Sequence, residues 1–190
     1  MSLNQPDFGA AFRKSVQEHW RAFLIEGIIL VILGMAAIAL PPLAGIATTI
    51  ILGWLFLLGG ITGIVATFGQ RNAPGFGWAL LSAIVAIVAG GILLWNPIAG
   101  VATLTYVLIA FFIIDGILII VLALEHRREL SDRWQWMMIG GLMDLILAVI
   151  IITGLPGTLT WALGLLVGID LVFGGVSLIA MALSARQSAS

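Results

Sequence analysis

Four acidic residues interrupt the long apolar stretches of this sequence and are its strongest candidates for chemistry. They are Glu26, Asp115, Asp144 and Asp170, and no Lys or Arg lies inside the same apolar stretches. An ionised carboxylate in the middle of a bilayer costs at least about 2.5–3.5 kcal/mol, and burial disfavours the charged form. Such residues therefore serve as structural hydrogen-bonding groups or as proton-linked groups, and both interpretations stay open here.

Asp115 and Asp144 are expected at similar depths in the membrane. A helical rise of 1.5 Å per residue places Asp115 ~15 Å from Glu125 and Asp144 ~16 Å from Arg133. Two carboxyl groups at short range tend to share one proton, because their like charges repel. We therefore hypothesise that Asp115 and Asp144 form a carboxyl pair that is at least partly protonated at neutral pH.

The other ionisable residues of the apolar stretches and their margins have simpler interpretations. Asp170 is expected nearer the opposite face of the membrane, on the same helix face as Gly174, pointing into a helix contact. Glu26 lies about one turn from Arg21, which favours a solvated or Arg-paired acid near the interface. His19 and His126 are isolated at the margins of the apolar stretches. The sequence shows no Ser-His-Asp grouping, no HExxH and no phosphate-binding glycine loop, so no enzyme activity, metal or cofactor is expected.

The composition is that of a membrane protein. Of the 190 residues, 62% are apolar and only 9% are charged, and the mean hydropathy is +1.21. A soluble domain carries about a quarter charged residues. The stretches 27–70 and 72–114 contain no charge, and each is long enough for two crossings at ~20 residues per helix. The net charge of −1 gives no basic patch for nucleic acid, so the lipid bilayer is the expected partner, and no soluble partner is indicated.

An internal repeat organises the chain. The sequence Pro-Ile-Ala-Gly-Val-Ala-Thr at 97–103 matches Pro-Leu-Ala-Gly-Ile-Ala-Thr at 42–48, and a degenerate copy follows at 155–160. In each full copy the proline ends one apolar helix, and a glycine such as Gly100 is expected to let the chain reverse direction. The sequence therefore predicts an all-α polytopic membrane protein, with six transmembrane helices as three repeated helical hairpins.

The predicted boundaries follow from the polar segments. We expect a cytoplasmic N-terminal segment at 1–19, a transmembrane domain at 20–184 and a cytoplasmic tail at 185–190. The repeats within the domain run over about 20–68, 76–124 and 134–184. They are parallel rather than inverted, which disfavours the inverted-repeat class of transporters.

The basic residues predict the orientation. All eight lie on one side of the six-helix arrangement: Arg13, Lys14, Arg21, Arg71, Arg127, Arg128, Arg133 and Arg186. Positive charge in short loops stays in the cytoplasm. Both termini are therefore expected to be cytoplasmic.

Glycine is abundant inside the apolar stretches and is expected to form helix-packing faces. Lipid provides little hydrophobic drive for helix association, so close backbone contact must hold the helices together. The glycines expected at these contacts are Gly59, Gly60, Gly63, Gly90, Gly140, Gly141, Gly164, Gly168 and Gly174. Association into a homo-oligomer stays open.

Several of these features together resemble the HdeD family of bacterial acid-resistance membrane proteins. They are the three glycine-rich hairpins with Pro-Ile-Ala-Gly turns, the run Ile-Ile-Leu-Val-Ile-Leu-Gly at 28–34, and Ile-Ile-Asp-Gly-Ile at 113–117. The resemblance covers about residues 20–183. It implies a six-helix inner-membrane protein associated with survival in acid, and it carries over no catalytic residues. Two function classes remain: a non-enzymatic stress-response protein, and a proton-coupled transporter or channel that uses the intramembrane acids.

Overall fold

Six long helices make up almost all of the described chain. The computed structural model describes residues 20–69, 75–125 and 133–187. The helices are α1 (Trp20–Ala39), α2 (Pro41–Gly69), α3 (Phe76–Trp95), α4 (Pro97–Glu125), α5 (Arg133–Thr153) and α6 (Ala162–Gln187), with a 3-10 turn at Gly157–Thr160. Within these three ranges there is no strand, so the predicted all-α class is confirmed. The N-terminal segment 1–19 and the predictions for Arg71, His126, Arg127 and Arg128 fall outside the described residues.

Every helix is long and apolar enough to cross a membrane. The shortest has 20 residues, or ~30 Å at 1.5 Å per residue, which matches the hydrocarbon thickness of a bilayer. Large apolar side chains cover the outside of the helices; Val65, for example, is 69% exposed. Such surfaces suit lipid rather than water, because soluble monomers rarely expose large contiguous apolar patches. The chain is a multi-pass membrane protein, as predicted.

The two full proline turns are shorter than predicted. Pro41 and Pro97 are the first residues of α2 and α4, so Leu40 and Asn96 alone connect the helices. Proline suits this position because its fixed φ is helical and the first helical turn leaves its N–H groups unpaired anyway. Asn96 forms a hydrogen bond with each of the two helices that it connects. Its N–H donates to the Ile92 carbonyl at 3.3 Å, and its Oδ1 accepts the Ala99 N–H at 3.1 Å.

The predicted role of Gly100 in reversing the chain is wrong. Gly100 lies inside the first turn of α4, after the reversal is complete. A Cβ atom there would lie 2.5 Å from Cγ2 of Thr49 on α2 and 3.1 Å from Cδ2 of Leu93 on α3. The glycine is therefore needed so that α4 can approach α2 and α3 closely, and not for backbone freedom.

The described helices fall into two compact units. The first runs from the start of α1 to Leu40 and resumes at Leu165, so it contains α1 and most of α6. These two helices run antiparallel with their backbones in close contact. A Cβ on Gly27 would lie 2.8 Å from the Gly175 carbonyl oxygen, and one on Gly34 would lie 2.7 Å from the Gly168 carbonyl oxygen.

The second unit comprises residues 41–164 and contains α2 to α5. Here α2 packs on α3, since a Cβ on Gly90 would lie 2.7 Å from the Gly53 carbonyl oxygen, and one on Gly60 would lie 2.7 Å from the Ala83 carbonyl oxygen. The α4–α5 pair has the same kind of contact. The paired small-residue contacts in this unit therefore join successive repeats, rather than the two helices of one repeat.

One register describes all three helix pairs. In each helix, two positions that this register assigns to the contact lie seven residues apart: 27 and 34 on α1, 53 and 60 on α2, 83 and 90 on α3, 109 and 116 on α4, 141 and 148 on α5, and 168 and 175 on α6. Nine of these twelve positions are glycine, two are alanine and one is isoleucine. The seven-residue spacing keeps the small residues on one face of each helix, where the partner's backbone can approach.

Two buried threonines lie near the starts of α2 and α4 in the second unit. Thr49 and Thr105 are 0% exposed. Each hydroxyl donates to a carbonyl oxygen of its own helix, Thr49 to Gly45 at 2.9 Å and Thr105 to Val101 at 2.8 Å. Their hydroxyl groups are therefore satisfied within the helix, so these residues act as small packing groups.

Candidate functional site

The candidate site is built where α4 and α5 approach each other closely. A Cβ on Gly116 would lie 2.7 Å from the Gly141 carbonyl oxygen, and one on Gly141 would lie 2.8 Å from the Gly116 carbonyl oxygen. Asp115 directly precedes Gly116, and Asp144 lies one turn after Gly141. The glycine contact therefore brings the two acidic residues to the same level of an antiparallel helix pair.

The carboxyl groups of Asp115 and Asp144 lie close enough to interact with each other. Both residues are half-buried. A carboxylate only accepts hydrogen bonds, so a bond between two carboxyl groups requires that one of them carries a proton. The structure thus brings together the two acids that counting along the helices places at equal depth, in an arrangement that can hold one proton between four oxygen atoms.

The other two helix pairs have no such site. In the register of the repeats, the positions equivalent to Asp115 are Gly59 on α2 and Gly174 on α6. The positions equivalent to Asp144 are Ala86 on α3 and Leu30 on α1. The carboxyl pair is therefore an addition to one of three similar contacts, and the shared packing does not require it.

Asp170 and Glu26 belong to the first unit, whereas Asp115 and Asp144 belong to the second. Asp170 is exposed on α6, and among the described residues no atom lies within 4 Å of the place where a Cβ of Gly174 would stand. The expectation that this face of α6 points into a helix contact stays a prediction. Glu26 is exposed on α1. The guanidinium group of Arg21 lies over the ring of Trp20, 5.3 Å from its centroid.

The glycines fall into two groups, those that lie against a neighbouring helix and those that do not. Of those predicted at helix contacts, six lie against a neighbouring helix: Gly60, Gly63, Gly90, Gly141, Gly164 and Gly168. Gly59, Gly140 and Gly174 differ, because no described atom lies within 4 Å of a Cβ built at any of them, and a contact at these three glycines stays a prediction. Adjacent residues of a helix project about 100° apart, so only one member of a glycine doublet faces the partner.

Several contact glycines were missed by the sequence analysis. They are Gly27, Gly34, Gly53, Gly100 and Gly116. The seven-residue spacing of small residues is the signal that identifies most of them, because the positions facing one partner recur with that spacing. Glycine doublets and four-residue spacings are poorer signals, because they include glycines that face the partner helix and glycines that do not.

Comparisons with known proteins give a family and a set of relatives. The family model DUF308, described as a short repeat of unknown function, matches residues 25–95 and again residues 81–153. Protein HdeD of Escherichia coli K12 is 27% identical over 171 residues, which are 88% of this chain and 88% of the relative. The HdeD proteins of Escherichia coli O157:H7 and Shigella flexneri match with the same identity and coverage. No solved structure matches significantly.

Proposed function

We propose that this chain, which belongs to the DUF308 repeat family, is a non-enzymatic protein of the bacterial inner membrane that acts in resistance to acid stress. The observation that carries the proposal is the similarity to HdeD, which extends over 88% of both chains. Similarity of that extent includes parts of all three repeats, so it concerns the whole membrane domain and not one common hairpin.

The orientation proposed for this role has both termini in the cytoplasm. The distribution of Lys and Arg supports it, because short loops rich in these residues stay on the cytoplasmic side. The sequence has no cysteine, so single cysteines can report accessibility without a background signal. A cysteine at position 99 should react with an impermeant maleimide only from outside, and one at position 129 only from inside. Labelling with the reverse sidedness would contradict the orientation.

Survival in acid tests the proposed role. The gene is deleted in its source bacterium, and survival at strongly acidic pH is compared with that of the deletion strain complemented by the wild-type gene. We expect survival to fall on deletion and to return on complementation. Equal survival of all strains, with the protein shown to be present in the wild type, would contradict the role in acid stress.

A second candidate function is proton-coupled transport or conduction, and the closeness of the Asp115 and Asp144 carboxyl groups favours it. A proton held between two carboxyl groups within a membrane span is a natural relay point, because coupled carboxyl groups gain and lose the shared proton as a pair. The alternative is a structural hydrogen bond, which would hold α4 and α5 together and carry no proton across.

Asparagine substitutions separate these two roles. Asn keeps the shape and hydrogen-bonding capacity of Asp but cannot exchange a proton. In the transport role, Asp115→Asn or Asp144→Asn should abolish proton flux into proteoliposomes while the protein stays folded. In the structural role, the wild type shows no flux above empty liposomes. Asp170→Asn is the matched control, since it makes the same substitution at an acidic residue of another helix, α6, and should leave any flux unchanged.

A further inference from the structure

The two full copies of the repeated sequence lie at the starts of α2 and α4, and they pack against each other. A Cβ on Gly45 in the first copy would lie 3.4 Å from Cγ1 of Val101 in the second copy. Gly100 of the second copy lies in turn against Thr49, which directly follows the first copy. The repeated sequence is therefore itself a contact between repeats, and the proposed function gives it no role.

The third repeat reaches the same place through the start of α6. A Cβ on Gly164 would meet the Pro41 carbonyl oxygen and would lie 2.9 Å from the Gly45 nitrogen. All of these residues belong to the second unit. The second helices of the three repeats thus meet where they begin. We call this contact the repeat junction and define it by Gly45, Thr49, Gly100, Val101, Thr105 and Gly164.

The described side chains of the repeat junction offer water no unpaired polar group. Thr105 follows Val101 by one turn, as Thr49 follows Gly45, and both threonines are 0% exposed. Their hydroxyls donate to carbonyl oxygens of their own helices, and the Thr49 atom that faces Gly100 is the methyl carbon Cγ2. A buried water needs two to four polar partners. The junction is therefore closely packed and apolar.

We propose that the repeat junction is a dry seal, which closes the space between α2 and α4 at the ends where these helices begin. Arg71 and Arg127 follow the opposite ends of the two helices, so the seal lies on the outer side of the membrane in the proposed orientation. Asp115 lies ten residues beyond Thr105, or ~15 Å along α4. Water that enters between α2 and α4 from the outer side therefore stops before the depth of the carboxyl pair.

Two substitutions at Thr105 test whether the junction is dry. Thr105→Ser removes a methyl group, and Thr105→Val replaces the hydroxyl by a methyl group. In a dry seal, serine leaves a gap and should lower the unfolding temperature by about 2–5 °C. Valine fills the same space and should not lower it. If water reached the hydroxyl, the order would reverse, because valine would then lose a hydrogen bond and serine would not.

Thr103 provides the matched control on the same helix. It is exposed, and its hydroxyl donates to the Ala99 carbonyl oxygen at 3.0 Å. Serine and valine at position 103 should therefore leave the unfolding temperature unchanged. An equal or reversed order of the serine and valine variants at position 105 would overturn the proposal.

Cysteine accessibility tests the closure itself. Ala99→Cys, exposed at the start of α4, identifies the side of the membrane from which a small charged thiol reagent approaches the junction. From that side, Thr105→Cys should react at least about 100-fold more slowly, because the reagent can enter only when the helices part. A smaller difference would overturn the seal. Because Ala99→Cys defines the side, a wrong orientation and a missing seal give different results.

A second substitution in Thr105→Cys shows whether Gly100 is needed for the closure. Gly100→Ala places a methyl group against Thr49, so it should part α2 from α4 and raise the reaction rate at least about tenfold. Gly91→Ala is the matched control, since no described atom lies within 4 Å of a Cβ there, and it should leave the rate unchanged. An unchanged rate with Gly100→Ala, or an equal rise with Gly91→Ala, would refute the assignment of the closure to the junction.

Discussion

Adding one methyl group at Gly90 should separate α2 from α3, and adding it at Gly91 should not. A Cβ at Gly90 would lie 2.7 Å from both the Gly53 carbonyl oxygen and the Leu57 nitrogen. Ordinary contacts of a Cβ atom begin at 3.4 Å, so the two backbones must move apart by about 0.7 Å. At Gly91 no atom of the described chain lies within 4 Å of the same point.

The expected magnitude follows from this displacement. A gap of 0.5–1 Å forfeits about a quarter to a half of the dispersion energy of each atom pair. Overpacking of this kind costs about 1–3 kcal/mol in protein interiors. Both variants replace helical glycine by alanine, so the gain of about 1 kcal/mol in helix propensity is common to them and cancels in their difference.

Thermal unfolding in detergent measures this difference. At about 2–4 °C per kcal/mol for a chain of this size, Gly90→Ala should unfold roughly 2–12 °C below Gly91→Ala. Far-ultraviolet circular dichroism at low temperature should show the same helix content for both, because the helices themselves are unchanged. Equal unfolding temperatures would refute the assignment of Gly90 as the contact and the reasoning from backbone approach behind it.

Three further predictions concern the second unit. Gly100→Ala should lower the unfolding temperature, and Thr49→Ser, which removes the obstructing Cγ2 atom, should restore most of the loss in the double variant; additive losses would contradict this contact. Infrared spectra should show a protonated-carboxyl band at neutral pH that disappears when Asp115 and Asp144 are both replaced by Asn, and a persistent band would exclude the pair as its source. Gly141→Leu should weaken the same band, because it separates the helices that carry the two acids, and an unchanged band would show that the pair forms without the close contact.

The class of the protein and its helices could be predicted from the sequence because the determinants are local. Long uncharged stretches and a crossing length of ~20 residues set the number of helices without any knowledge of packing. The equal depth of Asp115 and Asp144 follows from counting residues between them and the charged loop. Their proximity requires only that consecutive helices of an antiparallel bundle lie side by side.

The choice of contact residues could not be predicted so well. These helices are apolar on every side, so the hydrophobic pattern does not show which side faces a neighbour. Gly140 and Gly141 are adjacent residues of the same type. Only the rotation of α5 about its own axis determines which of the two faces α4. The proline turns are ambiguous for a related reason: Pro97 can end one helix or begin the next, and Asn96 alone is sufficient for the reversal.

The contact between α1 and α6 has a consequence for how the chain assembles during synthesis. Only 37 positions separate Gly53 from Gly90, whereas 134 separate Gly34 from Gly168. Contacts between distant parts of a chain form later than local ones. A ribosome that delivers helices to the membrane in order therefore leaves α1 in lipid, with its glycine face uncovered, until the last helix has been made. Truncations that remove α6 would leave that face permanently bare.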